Sequence, residues 1–161
     1  MALTAGYANA TGLLHIDLTA QESAGGVAVG LLGLPGAPAI RLAVQGDGPV
    51  SAFAAKLALS TDGVDRLAGQ ITLTGQADGA TGFAADLGGD LAPLFVPDYA
   101  AFFGPKVALA VTGARWPDGR LDLTRMEVSA RALRLSGSLA LAADGLPRRL
   151  DLTGQIRSAE G

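Results

Sequence analysis

Residues 131–157 read RALRLSGSLALAADGLPRRLDLTGQIR, and the stretch divides into two alternating halves. In the first, Leu133, Leu135, Leu139 and Leu141 share one parity, and Arg134, Ser136, Ser138 and Ala140 share the other. In the second, Leu150, Leu152 and Ile156 alternate with Arg149, Asp151, Thr153, Gln155 and Arg157. Side chains leave a strand on opposite faces every second residue, so each half has one apolar and one polar face. Ala143-Asp144-Gly145 lies between them, where glycine supplies the positive φ of a tight reversal. The stretch is predicted to be an amphipathic β-hairpin.

The same alternation recurs outward from the hairpin. It is expected in a first strand at Leu13–Thr19, then at Ile40–Gln45, Phe53–Ser60, Arg66–Thr74, Thr81–Leu87, Lys106–Thr112 and Leu121–Val128. In the last of these the apolar parity runs through Leu121 and Leu123, then moves to Met126 and Val128, as a β-bulge near Thr124 would cause. The total is about nine strands. Asp-Gly pairs at 47–48, 62–63, 78–79, 118–119 and 144–145 are expected to reverse the chain, which makes neighbouring strands antiparallel. Their irregular spacing argues for a meander over a β-solenoid.

A finer motif, apolar-x-apolar-x-Gly, ends at Gly46, Gly75, Gly113, Gly137 and Gly154, always with the glycine on the apolar parity; Gly69 falls likewise between Leu67 and Ile71. Glycine repeated on one face lets a sheet curl toward that face. The alternative is that these glycines merely end strands, which suits Gly46 and Gly75 better than Gly137 and Gly154. The expected fold is therefore all-β: a curved antiparallel meander forming an open trough with an apolar concave face. Residues 1–161 would form one such unit of a larger protein, with insertions near 21–36 and 91–104. Helix is expected only within parts of Gln21–Leu34, stopped by Gly33 and Pro35, and of Leu91–Phe103. Phe95, Tyr99, Phe102 and Phe103 are half the chain's eight aromatic residues, and Asp98 is placed to cap a turn from Tyr99 to Phe103. That insertion is expected to plug the core, with a membrane-dipping loop as its alternative.

Composition excludes several functions. Net charge is −3, against the basic excess that nucleic acid demands. There is no cysteine and one histidine, so neither a thiolate nor a multi-histidine metal site is available, and no cofactor is expected. No breaker-free run of about 18 apolar residues predicts a transmembrane helix. The N-terminus lacks a basic segment followed by an apolar core, so an export signal, if there is one, would lie outside this stretch. Ser51, Ser60 and Ser136 have no nucleophile elbow, and the acidic pairs Asp17/Glu22 and Asp86/Asp90 suit a solvated surface. The 30–36 segment has no phosphate-binding spacing, and Trp116 beside Pro117 reads as a packing residue of a turn. No enzymatic activity is expected.

What remains is the apolar face. Its predicted lining is Leu42, Val44, Leu57, Leu59, Leu67, Ile71, Leu73, Phe83, Val107, Leu109, Val111, Leu133, Leu135, Leu139, Leu141, Leu150, Leu152 and Ile156. Such a face must fold on itself, self-associate or hold an apolar ligand. Its small residues leave room for acyl chains, and it offers no charged anchor for a headgroup. Two other readings stay open: a structural β-sandwich or spacer, and a chaperone-like surface that pairs strand edges with outer-membrane proteins. Exposed edge strands would also let the chain associate with itself.

The phrases LLGLPGAPAIRLAVQGDGP (31–49), GDLAPLFVPDYAAFFG (89–104) and ALRLSGSLALAADGLPRRLDLTGQI (132–156) resemble the periplasmic repeats of the TamB family, the translocation and assembly module subunits. These are related to AsmA-like and bridge-like lipid transfer proteins. The resemblance implies a β-taco trough shielding phospholipid acyl chains between the inner and outer membranes, and a role in outer-membrane protein assembly. It also implies a periplasmic location, an inner-membrane anchor elsewhere in the full-length protein, and an outer-membrane barrel partner, TamA.

Overall fold

Among the described residues ten β-strands make one sheet in chain order, each hydrogen-bonded to its neighbours in sequence. The computed structural model describes residues 2–8, 12–94 and 102–157. The strands are β1 (Ala2–Ala8), β2 (Leu13–Glu22), β3 (Ile40–Pro49), β4 (Ala52–Thr61), β5 (Val64–Gly75), β6 (Thr81–Gly89), β7 (Val107–Arg115), β8 (Leu121–Ser129), β9 (Leu133–Leu141) and β10 (Pro147–Ile156). Every adjacent pair is antiparallel and the sheet does not close, so among the described residues β1 and β10 are its outermost strands. The all-β meander is as expected. The strand count differs by one, because β1 has too weak an alternation (ALTAGYA) to announce itself.

The turns explain the topology. At Asp62-Gly63 both residues have positive φ (50° and 77°), the two-residue reversal that matches strand twist. Asp78-Gly79, Asp118-Gly119 and Asp144-Gly145 share a longer design. In each, the glycine N–H donates to the carbonyl three residues back, at Gln76, Trp116 and Ala142 (2.9–3.0 Å). The aspartate Oδ1 accepts the N–H two residues on, from Ala80, Arg120 and Leu146 (3.0–3.1 Å). Asp47-Gly48 is the exception and corrects the expectation. Both residues lie inside β3, and the chain reverses after Pro49, where Val50 N–H donates to Gly12 O (3.0 Å).

The expected bulge is present. Leu123 faces Leu139 and Met126 faces Gly137, so Thr124 and Arg125 stand against Ser138 alone, and the Thr124 hydroxyl donates to Thr112 O at 3.2 Å. Helix is scarce. In the first insertion only Val27–Leu32 (α1) is helical, while Gln21 and Glu22 continue β2. Gly33, left-handed at φ 63°, ends α1. The second insertion has a 3-10 turn at Ala92–Leu94 and a helical Phe102-Phe103 pair whose rings meet edge to face at 5.3 Å. The expected Asp98 cap and most of the Tyr99–Phe103 turn lie outside the described residues.

Among the described residues no second layer covers the sheet. Their buried apolar set is Val29, Phe53, Ala55, Ala80, Ala114 and Ala132. The accessible surface is 9916 Å², whereas a compact monomer of 16.1 kDa would expose about 7,400 Å². The difference marks a single layer, not a sandwich.

Candidate functional site

Register decides whether the apolar residues of different strands meet. One row runs Leu18, Val44, Leu57, Gly69, Leu87, Leu109, Val128, Leu135, Gly154, each directly opposite the next across β2 to β10. A second, two residues along, runs Ile16, Gly46, Ala55, Ile71, Ala85, Val111, Met126, Gly137, Leu152. A third runs Phe53, Leu73, Phe83, Gly113, Leu123, Leu139, Leu150. Toward the other ends of the strands Leu42, Leu59 and Leu67 continue one another, Val107 faces Gly89, and Leu133 faces Ile156. Leu141 faces Leu121 and Pro147. All 18 predicted lining residues therefore stand on one face, and every partner in register is apolar or glycine. With strands about 4.8 Å apart, the first two rows cross about 38 Å of sheet from β2 to β10.

The face is neither buried nor fully wet. From β3 to β9 the predicted lining residues are half-buried; on the opposite parity Lys56, Gln70, Asp86, Thr112, Arg125, Glu127, Arg134 and Ser136 are exposed, while Thr72, Ala84, Ala110, Ser138 and Ala140 are half-buried and Ala114 is buried. The floor is tightest at β4, where Phe53 and Ala55 are buried. On β10 the face opens, with Leu150, Leu152 and Ile156 at 56%, 51% and 75% exposure. Leu18, Phe53, Leu87, Leu123, Met126 and Val128 belong to the same rows and were absent from the predicted lining. Their alternation carried the signal, masked in β8 by the bulge that moves its parity.

The glycines of this face are where strands close on one another. A Cβ on Gly69, Gly113 or Gly137 would sit 2.0, 2.4 or 2.1 Å from a carbonyl oxygen of the neighbouring strand, those of Asp86, Asp122 and Asp151. A Cβ on Gly46 would meet Ala54 O at 2.6 Å and the Phe53 ring at 2.7 Å. No side chain fits there, so neighbouring backbones crowd together on the apolar side and the sheet curves toward it. Gly46 is mid-strand, which overturns the view that it only ends β3; Gly75 does end β5. Gly154 is looser, its nearest neighbour Leu135 Cδ1 at 3.5 Å.

Polar chemistry stays on the other face and the rims. His15 on β2 faces Asp47 on β3, and its Nδ1 bonds the Asp47 carboxylate. That hydrogen bond, then the carboxylate's charge, raises the imidazole pKa above its ordinary value. At the rim Trp116 Nε1 donates to Asp78 Oδ2 (2.9 Å), and the Arg120 guanidinium lies 5.1 Å over the indole. The indole bond holds Asp78 below the usual carboxylate range, and the Arg120 N–H does the same for Asp118. Arg120 also pairs with Asp118 (2.7 Å), and Arg125 with Glu127 (2.7 Å). No cluster of three or more metal-ligating side chains occurs among the described residues, and none of their helices is long and apolar enough to cross a membrane. No family model, curated protein or solved structure matches the chain.

Proposed function

We propose that the chain is a segment of an apolar conduit: a curved, single-layer sheet that shields acyl chains from water. The observation that carries the proposal is the set of apolar and glycine rows running from β2 to β10, half-buried from β3 to β9 and, among the described residues, with no second layer over them. Each buried methylene contributes about 0.8 kcal/mol, so a tail of about sixteen carbons gains on the order of 10 kcal/mol at the upper limit. The charged residues that alternate with the lining sit on the opposite face, so recognition is by chain and not by headgroup. Phospholipid is the class of ligand that fits. The resemblance to TamB repeats extends the proposal to lipid passage between membranes in the periplasm and, through the full-length protein, to outer-membrane protein assembly with a barrel partner such as TamA.

The test compares two neighbouring residues on opposite faces of β9. Leu135→Asp puts a carboxylate among the rows, and Ser136→Asp puts one in water. In a conduit the Leu135 carboxylate reaches solvent along the groove, so the fold survives while co-purifying phospholipid, measured by organic extraction and mass spectrometry, falls. Ser136→Asp changes neither. If wild-type protein carries no lipid and Leu135→Asp unfolds it, the face is a core and the proposal fails.

A further inference from the structure

We propose that Arg115 is a headgroup anchor of the trough: its guanidinium holds the phosphate of a phospholipid whose acyl chains lie on the apolar rows. Alternation in the sequence was expected to end this strand at Thr112, but β7 runs on to Arg115. Arg115 therefore keeps the parity of Val107, Leu109, Val111 and Gly113. It stands at the end of the lining, directly opposite Thr81 on β6 and Leu121 on β8. A cavity of about 440 Å³ opens at this point. Its walls include Leu73 and Phe83 of the third apolar row, Thr81 and Trp116, and Arg115 is the charged residue among those described there.

The charge of Arg115 is not neutralised within the described chain. The side chain is exposed, and no carboxylate among the described residues pairs with it. The aspartates of the two adjoining turns have other partners. Asp78 accepts from Trp116 Nε1 (2.9 Å) and Ala80 N–H (3.1 Å), and Asp118 from Arg120 Nε (2.7 Å) and Arg120 N–H (3.0 Å). At the opposite ends of the strands Arg66 is already engaged: its Nε donates to the Thr61 hydroxyl (2.7 Å), and its guanidinium lies 3.9 Å from the Asp90 carboxylate. An unpaired arginine over an apolar floor fits an anionic amphiphile. The planar guanidinium can donate two parallel N–H bonds to phosphate oxygens. From it the lining runs inward through Gly113, Val111 and Leu109, over about 20 Å of strand. Free phosphate uses none of that floor, and an uncharged lipid uses none of the guanidinium. Phosphate is common to every phospholipid, so the anchor leaves the group beyond it unread. The inference rests on the conduit reading and adds an orientation to it: headgroups gather at the rim of the Asp78 and Asp118 turns, and tails run toward the opposite rim.

The single tryptophan lines the same cavity, so its emission reports binding there. Two amphiphiles with the same lauroyl tail, lysophosphatidylglycerol and glycerol monolaurate, are titrated below their micellar concentrations; only the first carries a phosphate. The wild type is expected to bind the lysophospholipid about tenfold more tightly than Arg115→Gln does. That difference should shrink as salt is raised, because the charge is exposed. Monolaurate is expected to bind both proteins alike. Arg115→Lys should recover part of the affinity, as a point charge without the planar fork. Arg134→Gln, exposed on the opposite face, should leave it unchanged. Inorganic phosphate alone is expected to displace neither amphiphile. Equal affinity of the lysophospholipid for wild type and Arg115→Gln would overturn the anchor and leave the conduit standing. Displacement by inorganic phosphate would make Arg115 an anion site independent of the trough, which also overturns the proposal. If neither amphiphile shifts the emission, the conduit reading falls with it.

Discussion

Gly137 and Gly154 close the same motif on adjacent strands, yet alanine is predicted to act on them in opposite directions. At Gly137 a Cβ would stand 2.1 Å from Asp151 O and 2.7 Å from Leu152 Cδ2. The leucine can rotate away, but the carbonyl belongs to the β9–β10 ladder and moves only if the strands separate. Overpacking of this kind costs about 1–3 kcal/mol, or a fall in Tm of roughly 3–10 °C for a chain of this size. At Gly154 the nearest atoms are Leu135 Cδ1 at 3.5 Å and Arg134 O at 3.9 Å, ordinary contacts, and φ is not positive. There the methyl restricts the unfolded chain without strain, and alanine is expected to stabilise by about 0.4–1 kcal/mol, or roughly 1–4 °C. Thermal melts by circular dichroism, at concentrations low enough to keep the chain monomeric, measure both. Equal shifts of the same sign would refute the claim that Gly137 marks a backbone approach and Gly154 does not.

His15 is expected to titrate above its ordinary value of 6.5 by NMR, because Asp47 stabilises the imidazolium; Asp47→Asn should return it. A raised folded pKa gives a contribution present below the unfolded value and lost as pH rises through the folded one, so the wild type should lose stability relative to Asp47→Asn from about pH 6.5 upward. Asp78→Ala removes both the acceptor for Ala80 N–H and the partner of the indole. It should lower Tm and shift the emission of the single tryptophan, whereas Asp144→Ala should leave that emission unchanged.

The sheet was legible because a single layer leaves the polar–apolar alternation undisturbed in nearly every strand, and because four of five Asp-Gly pairs reverse the chain where expected. The lining followed from parity alone, and register then brought all 18 residues to one face. Asp47-Gly48 misled because Gly48, at φ 143°, is accommodated within a strand that runs on to Pro49. Strand β1 escaped because residues 2–8 include three alanines and a glycine, which leave only Leu3 and Tyr7 to mark a face. Local sequence also gives no hint of strand separation. The crowding at Gly69 and Gly137 and the looseness at Gly154 depend on which backbone lies opposite, and the motif is the same at Gly137 and Gly154.

The central claim is that acyl chains lie against the apolar rows and nowhere else on the sheet. A photoreactive side chain placed in turn at Leu109, Val111 and Leu135, and at the exposed Thr112 and Ser136 as controls, tests it in cells, with crosslinked phospholipid read by mass spectrometry. The account predicts lipid adducts at the three row positions and none at the two controls. Adducts equally distributed over both faces, or absent from the rows while the protein remains folded, would contradict it.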